Sequence, residues 1–274
     1  MLVLKHVTKK YGKTDAITDV SLRVDPKEFV CILGPAGSGK TTLLHLLAGL
    51  DAPTKGSVEI DGVDLRQVPE TGIRLLRQRT GIVFQDGRLQ EHATVEENVS
   101  LPLEALGLPD PVIRKRVPAL LKLFGLETKT RFFPSQLSAG ERAKTAIARA
   151  FVGKPLILIL DEPTALLDRT ETESVMALLR DLSIAGTTII LGTHDASIAA
   201  LLPARVVSIE HGRIAADKIV REEKKAEPAK QQPHRVFQHE PLQQEEEELL
   251  VRRVRSSTVK EASRKIHITS IGSA

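Results

Sequence analysis

Phe29-Val30-Cys31-Ile32-Leu33 is followed by Gly34-Pro35-Ala36-Gly37-Ser38-Gly39-Lys40-Thr41, and then by Thr42-Leu43-Leu44-His45-Leu46-Leu47-Ala48-Gly49-Leu50. The first run is short and apolar on both faces, which reads as a buried strand. The last carries leucine at 43, 44, 46, 47 and 50, a helical spacing. The segment between them fits G-x-x-x-x-G-K-[ST]. Its glycines let the backbone wrap closely round an anion. Successive N–H groups form a nest, and the start of the helix adds partial positive charge. Lys40 is placed to reach the β- and γ-phosphates of a nucleotide, and Thr41 to offer a hydroxyl to Mg²⁺. Residues Gly34 to Thr42 therefore read as a nucleotide-binding loop. The plainer alternative, a glycine turn that happens to precede a lysine, does not explain the strand before and the helix after.

A strand–phosphate loop–helix unit belongs to an α/β fold with a mostly parallel sheet. The first 217 residues agree with that. Ile82-Val83-Phe84, Leu156–Leu160, Thr187–Leu191 and Arg205–Ile209 are further short runs of Ile, Val and Leu, as expected of parallel strands covered by helices. Thr94–Ala150 lacks a strand pattern and carries helical spacing at Val117, Leu120, Leu121 and Phe124. It reads as an inserted α-helical subdomain, spanning about 88–150. Val3–Val7, Ala16–Val24 and Ser57–Ile60 alternate, with a turn at Asp61-Gly62, and predict a small N-terminal antiparallel sheet. The reading is a P-loop NTPase core over 1–217.

Composition changes near Asp217. Residues 218–274 hold Glu245-Glu246-Glu247-Glu248, glutamine pairs and few large apolar side chains. Such a segment buries too little surface to offset its ordering entropy, so a mostly disordered charged tail is expected. Within it, Glu248 and Arg252 sit at i,i+4 and support a short helix. Arg252, Arg253 and Arg255 offer weak attraction to anionic lipid, against the plainer reading of a solvated extension.

The whole chain has 274 residues, a net charge of +4, one cysteine and no tryptophan. A disulfide framework and a cysteine-based zinc site are excluded, and a reducing compartment is expected. Tyr11 is the single tyrosine and aromatics make up 3%, so a base-stacking platform and a nucleic-acid partner are not expected. No apolar run approaches the roughly 18–20 residues that span a bilayer, and the start of the chain does not read as a secretion leader.

The run Leu156–Leu160 ends in Asp161-Glu162. Ligands of doubly wound sheets bind at the carboxyl ends of strands. Asp161 is thereby expected beside the phosphate loop as a Mg²⁺ ligand, and Glu162 as the group that orients or deprotonates the attacking water. The bland alternative is two acids closing a strand before a turn at Pro163.

With these residues in place, the chain resembles ABC-type ATPases over essentially residues 1–217. Leu137-Ser138-Ala139-Gly140-Glu141 resembles the LSGGQ signature, and Ala146-Ile147-Ala148-Arg149-Ala150 lies in the helix after it. Gln85 resembles the Q-loop glutamine, Asp168 the D-loop aspartate, His194 the switch histidine and Tyr11 the aromatic that stacks on adenine. Taken singly, each has an ordinary reading: Ser138 and Glu141 as a capping box, His194 as a structural histidine. It is their order along the chain that gives the resemblance weight. The resemblance implies ATP and Mg²⁺ as ligands and a homodimer closed head to tail on two ATP molecules. Ser138 and Gly140 of one copy would then face the γ-phosphate held by the other. It further implies catalytic roles for Glu162, His194 and Gln85, with Thr41, Asp161 and Gln85 around the metal. Ala139 departs from the glycine usual at that place. If its backbone needs positive φ, the methyl group costs about 1 kcal/mol or more and hydrolysis is slowed.

Phe84-Gln85-Asp86 with Arg88-Leu89, Thr94–Val99 and Ile209-Glu210-His211-Gly212-Arg213 resemble the cell-division branch, the FtsE type. Members of that branch act on an FtsX-like integral membrane partner from the inner face of the cell membrane. A cytoplasmic helix of such a partner would dock near Gln85 and Asp86–Val99. The alternatives are a lipoprotein-release or macrolide-type exporter ATPase, a soluble ABC protein and a weakly hydrolysing regulatory scaffold.

Overall fold

The structure, a computed structural model, describes residues 1–199, 201 and 204–219. In chain order, strands β1 (Leu2–Tyr11), β2 (Thr14–Val24) and β3 (Phe29–Leu33) precede helix α1 (Lys40–Leu47). Strands β4 (Lys55–Ile60) and β5 (Val63–Asp64) follow, then α2 (Glu70–Gln78) and β6 (Thr80–Val83). Helices α3 (Val95–Ala105), α4 (Asp110–Leu123) and α5 (Ala139–Phe151) come next. The chain continues with β7 (Ile157–Asp161), α6 (Arg169–Ile184), β8 (Thr188–Thr193), α7 (Ala196–Ala199), β9 (Arg205–Glu210) and β10 (Arg213–Ile219).

The strands form two sheets. One has four strands in the order β2-β1-β4-β5, all antiparallel. Its last hairpin turns at Asp61 and Gly62, with φ of 49° and 82°, the pair of left-handed residues that matches strand twist. The other has six strands in the order β10-β9-β3-β8-β7-β6. Every pairing in it is parallel except β9 with β10. Both sequence expectations, the small N-terminal antiparallel sheet and the mostly parallel core sheet, describe this arrangement. Strands β3 and β8 are buried almost throughout, the condition that makes their sequences continuously apolar rather than alternating.

Helix α1 lies between the sheets. Leu43, Leu44, Leu46 and Leu47 are fully buried and share one core with Leu2, Leu4, Ile17 and Val58 of the first sheet and Ile32, Ile159, Ile190 and Val207 of the second. Burying each such side chain contributes about 1.5–3 kcal/mol relative to leaving it in water. The phosphate loop is thus held between a central strand and a helix gripped on both sides. The helix ends at Leu47 rather than Leu50, because Gly49 turns left-handed at φ 63° and the following N–H groups bond back to His45.

The region expected to be helical holds α3, α4 and α5. Thr94 opens α3 with a capping box, its hydroxyl accepting from the Glu97 N–H while the Glu97 carboxylate accepts from the Thr94 N–H. Inside, Phe124 and Phe151 pack 6.5 Å apart. The sequence reading placed Phe84 in a strand; β6 instead stops at Val83 and the chain turns at once. Helix α2 was not anticipated, and β10 pairs out to Ile219, two residues past the change in composition. The disordered tail and the short helix expected within it fall, from residue 220 onward, outside the described residues.

Candidate functional site

Strands β3, β8 and β7 are adjacent and parallel, so their carboxyl ends meet. The Gly34 N–H donates to the Thr193 carbonyl at 3.2 Å, and the Glu162 N–H to the Gly192 carbonyl at 2.9 Å. Three segments far apart in sequence are thereby fixed side by side: the phosphate loop, Asp161-Glu162 and Thr193-His194. Gly39 sits at the head of α1 with φ 103°, and a Cβ there would lie 2.6 Å from the Ala16 carbonyl. Only glycine fits that turn. A depression of about 290 Å³ lies against the loop, lined by Pro35, Ala36, Gly37, Ser38, Glu210 and His211.

The Lys40 ammonium donates to the carbonyls of Gly34 at 2.8 Å and Pro35 at 3.1 Å, and pairs with Glu162 Oε1 at 3.4 Å. Both side chains are more than nine-tenths buried. The other Glu162 oxygen lies 2.9 Å from His194 Nδ1. A carboxylate only accepts, so that nitrogen carries the proton. Glu162 itself stands at φ 49°, a conformation that costs a non-glycine residue roughly 1–3 kcal/mol and persists only where the surroundings impose it. Here the Gly192 bond, the Lys40 pair and the His194 bond impose it together.

Thr41 Oγ1 donates to Asp161 Oδ2 at 2.7 Å. Burial pushes the Asp161 carboxyl above its ordinary range and the neighbouring Glu162 adds to this, while the Thr41 bond opposes it. Asp161 Oδ1 and Ser38 Oγ are buried with no partner among the described residues. A buried carboxylate oxygen without a donor, next to a hydroxyl, is a hard-oxygen arrangement that suits Mg²⁺, which takes one or two carboxylates and fills its shell with phosphate oxygens and water. These residues fit that ion.

Tyr11 is half exposed. Its hydroxyl donates to Asp51 Oδ2 at 2.5 Å, and the Lys9 ammonium lies 5.0 Å from its ring. The bond to Asp51, helped by burial, holds the phenol above its usual range, while the neighbouring Thr42 side chain opposes this. Gln85 is exposed just past β6 and has no hydrogen bond to Thr41 or Asp161 among the described contacts. The Val83–Leu160 pairing ends β6 beside the end of β7, so Gln85 leaves the sheet at the end where Asp161-Glu162 lie. The turn after it is held from the signature helix: Arg149 of α5 donates to the carbonyls of Gly87 at 2.6 Å and Arg88 at 2.7 Å.

Ser138 caps α5 in a capping box with Glu141. Its hydroxyl also donates to Glu171 Oε1 at 3.0 Å, and the Gly140 N–H donates to the same oxygen at 3.1 Å. Asp168 caps α6, accepting from the Glu171 N–H at 2.7 Å. Ala139 opens α5 in helical backbone and is not among the positive-φ residues, so the strain considered for its methyl group does not arise. The structure therefore gathers the loop, Asp161, Glu162 and His194 at one point and holds Tyr11 against Asp51 and Lys9. It sets Ser138, Gly140 and Asp168 in a second group joined through Glu171. Sequence reading missed Lys9, Asp51 and Glu171, and named Arg149 without a role.

A phosphate loop at the head of a buried helix, an Asp-Glu pair on the next strand but one and a separate signature helix define an ATP-binding cassette. The ABC transporter family model matches residues 17–165. The chain is 40% identical to the cell division ATP-binding protein FtsE of Mycobacterium tuberculosis, covering 79% of this chain and 95% of that one. It is 39% identical to the methionine import ATP-binding protein MetN of Brucella abortus, covering 77% of this chain and 58% of that one. The dimeric structure of MJ0796, a bacterial ABC transporter cassette, superposes with a TM-score of 0.75 at 35% identity, over 81% of this chain and all of that one. A second MJ0796 structure, in a post-hydrolysis state bound to ADP and Pi, gives a TM-score of 0.74. The chain belongs to the ABC transporter ATPase family and is an ATP-binding and ATP-hydrolysing subunit of that type.

Proposed function

We propose that two copies of this chain close head to tail on two ATP molecules and drive a conformational change in a membrane partner. The observation that carries this is the position of Glu162, buried between Lys40 and His194 and next to the Thr41–Asp161 pair. Lys40 and the loop N–H groups bind the phosphates, and Tyr11 stacks on adenine. Thr41 and Asp161 would hold Mg²⁺, with Gln85 as a further candidate ligand; when bound, the ion would withdraw charge from the phosphate oxygens. Glu162 accepts a proton from water as its oxygen attacks the γ-phosphorus. The bond to the bridging oxygen breaks, and ADP leaves with that electron pair. His194 fixes the carboxylate that takes the proton. Ser138 and Gly140 receive the γ-phosphate of the other copy, with Asp168 at the same contact. Hydrolysis then removes the charge that holds the copies together.

The membrane partner is of the FtsX kind, and the work belongs to bacterial cell division. Two facts support this: the chain spans 95% of an FtsE but only 58% of a MetN, and the FQD-x-RL segment matches that branch. Among the described residues no helix is long and apolar enough to cross a membrane, and the proposed moving part is a separate membrane protein. In this reading the chain works at the inner face of the cell membrane, held through its partner.

The test is gel filtration of Glu162→Gln with Mg-ATP. The variant should bind ATP, fail to hydrolyse it and elute as a dimer. A monomer at saturating ATP overturns the two-copy arrangement. The same trapped dimer, cross-linked in membranes, should recover a multi-span membrane protein with a large external loop. Recovery of an importer or exporter permease instead would move the chain to another branch.

A further inference from the structure

Glu171 occupies the signature. It lies in the first turn of α6, and a single oxygen, Oε1, takes both the Ser138 hydroxyl proton and the Gly140 N–H. The fit is close. A Cβ at Gly140 would lie 2.7 Å from that oxygen and within 2.9 Å of Cδ and Cγ of the same side chain. Glycine at 140 therefore leaves room for a carboxylate against the backbone. The backbone of Glu171 is committed elsewhere: its N–H holds the Asp168 carboxylate at 2.7 Å.

We propose that Glu171 is an internal carboxylate gate. It holds the two signature donors in the separate copy and must be displaced by the γ-phosphate when two copies close. This rests on the two-copy arrangement proposed above. The chemistry is one of competition. A hydroxyl and an N–H each have one proton to give, and both already give it to Glu171. A phosphoryl oxygen is the same kind of acceptor, so the two cannot share the donors. They also carry like charge, so the carboxylate must swing away rather than move aside slightly. The side chain turns about its own bonds while its N–H stays on Asp168, so opening the gate leaves the cap of α6 in place. ATP that has not reached a second copy does not open it. Glu171 thus raises the ATP concentration at which copies associate without touching the loop that binds the nucleotide.

The experiment compares Glu162→Gln with Glu162→Gln/Glu171→Ala and Glu162→Gln/Glu171→Gln. Two quantities are read: the affinity of the separate copy for ATP, by calorimetry at low protein concentration, and the ATP concentration giving half-maximal dimer, by sedimentation. Losing a charged acceptor from two donors should lower the dimer midpoint by about five- to thirtyfold in the alanine variant. Glu171→Gln keeps the packing on Gly140 and should give a smaller decrease of the same sign. ATP affinity of the separate copy should not change. A structural role for Glu171 predicts the opposite, a midpoint that is unchanged or raised, and either result overturns the gate while leaving the dimer intact. If Glu162→Gln binds ATP but never dimerises, the two-copy arrangement fails, and the gate fails with it.

Discussion

At the scale of single residues, the site works through groups that restrain one another. Glu162 is kept at a strained φ by Lys40, His194 and the Gly192 carbonyl. Of these, Lys40 is the one proposed to hold the nucleotide phosphates as well. Lys40→Ala should abolish measurable ATP binding in calorimetry while the chain stays folded by circular dichroism. Retained affinity within about tenfold of the parent would mean that the loop N–H groups alone hold the phosphates. The glycine-rich loop and Asp161-Glu162 were legible in the sequence because each is a short string at the end of an apolar run, and strand ends are where an α/β sheet gathers chemistry; His194 was legible only through the family resemblance. Glu171 and Asp51 were not legible. Their partners lie 31 to 40 residues away on other elements, and no local pattern distinguishes a carboxylate that takes such a bond from one that faces water. Ser138 shows a different limit. The sequence suggested a helix cap as well as a signature residue; the cap is present, its hydroxyl accepting from Glu141 N–H, and the same hydroxyl donates to Glu171, a bond neither reading contained.

At the scale of elements, the segment after Gln85 is the least regular part of the site and is held by side chains. Arg149 of α5 grips it from one side. Asn98 of α3, fully buried, grips it from the other. The Asn98 carbonyl oxygen accepts from the Gln90 N–H at 2.8 Å, and its amide donates to the carbonyls of Gln90, Ala93 and Thr94, each at 3.0 Å. Asn98→Ala leaves those backbone groups without partners in a dry place and should lower unfolding stability by about 1–3 kcal/mol, read by urea denaturation. A change under about 0.5 kcal/mol would mean that water replaces the side chain. Helical spacing revealed the inserted helices, yet it gave no sign that a polar residue on the buried side of α3 ties down a loop. The helix cap at Ser138 was read as a string, and the cap at Thr94 carries the same pattern without having been singled out. The end of β6 was not, since Phe84 is as apolar as the strand before it and only the turn at Gly87 takes it out of line.

At the scale of the whole molecule, the two sheets are joined by more than their shared core. Arg205 on β9 donates to the Arg23 carbonyl on β2 at 2.8 Å, and to Glu28 at 3.1 Å and Asp217 at 2.6 Å. The Arg205 bond holds the Asp217 carboxyl below its ordinary range. The folded chain thus gives up this proton more readily than the unfolded chain. The pair's contribution is complete above about pH 4, the unfolded value, and is lost as pH falls through the lower folded one. Because Asp217 is over a third exposed, screening limits the pair to about 0.5–1 kcal/mol. Asp217→Asn should lower the urea midpoint at pH 7, and by less at pH 3. An equal difference at both pH values would assign the effect to packing. The parallel order of the core strands followed from their apolar runs, whereas this tie between sheets joins residues too distant for pattern to connect. Burial in β3 and the negative charge of Glu162 together push the chain's single thiol, Cys31, up to about 12. The native surface is therefore blank to maleimides at neutral pH, and one engineered cysteine on α5 or α6 would carry a fluorophore to a unique address. The approach of two copies then becomes a distance read between dyes, without first stripping a reactive background.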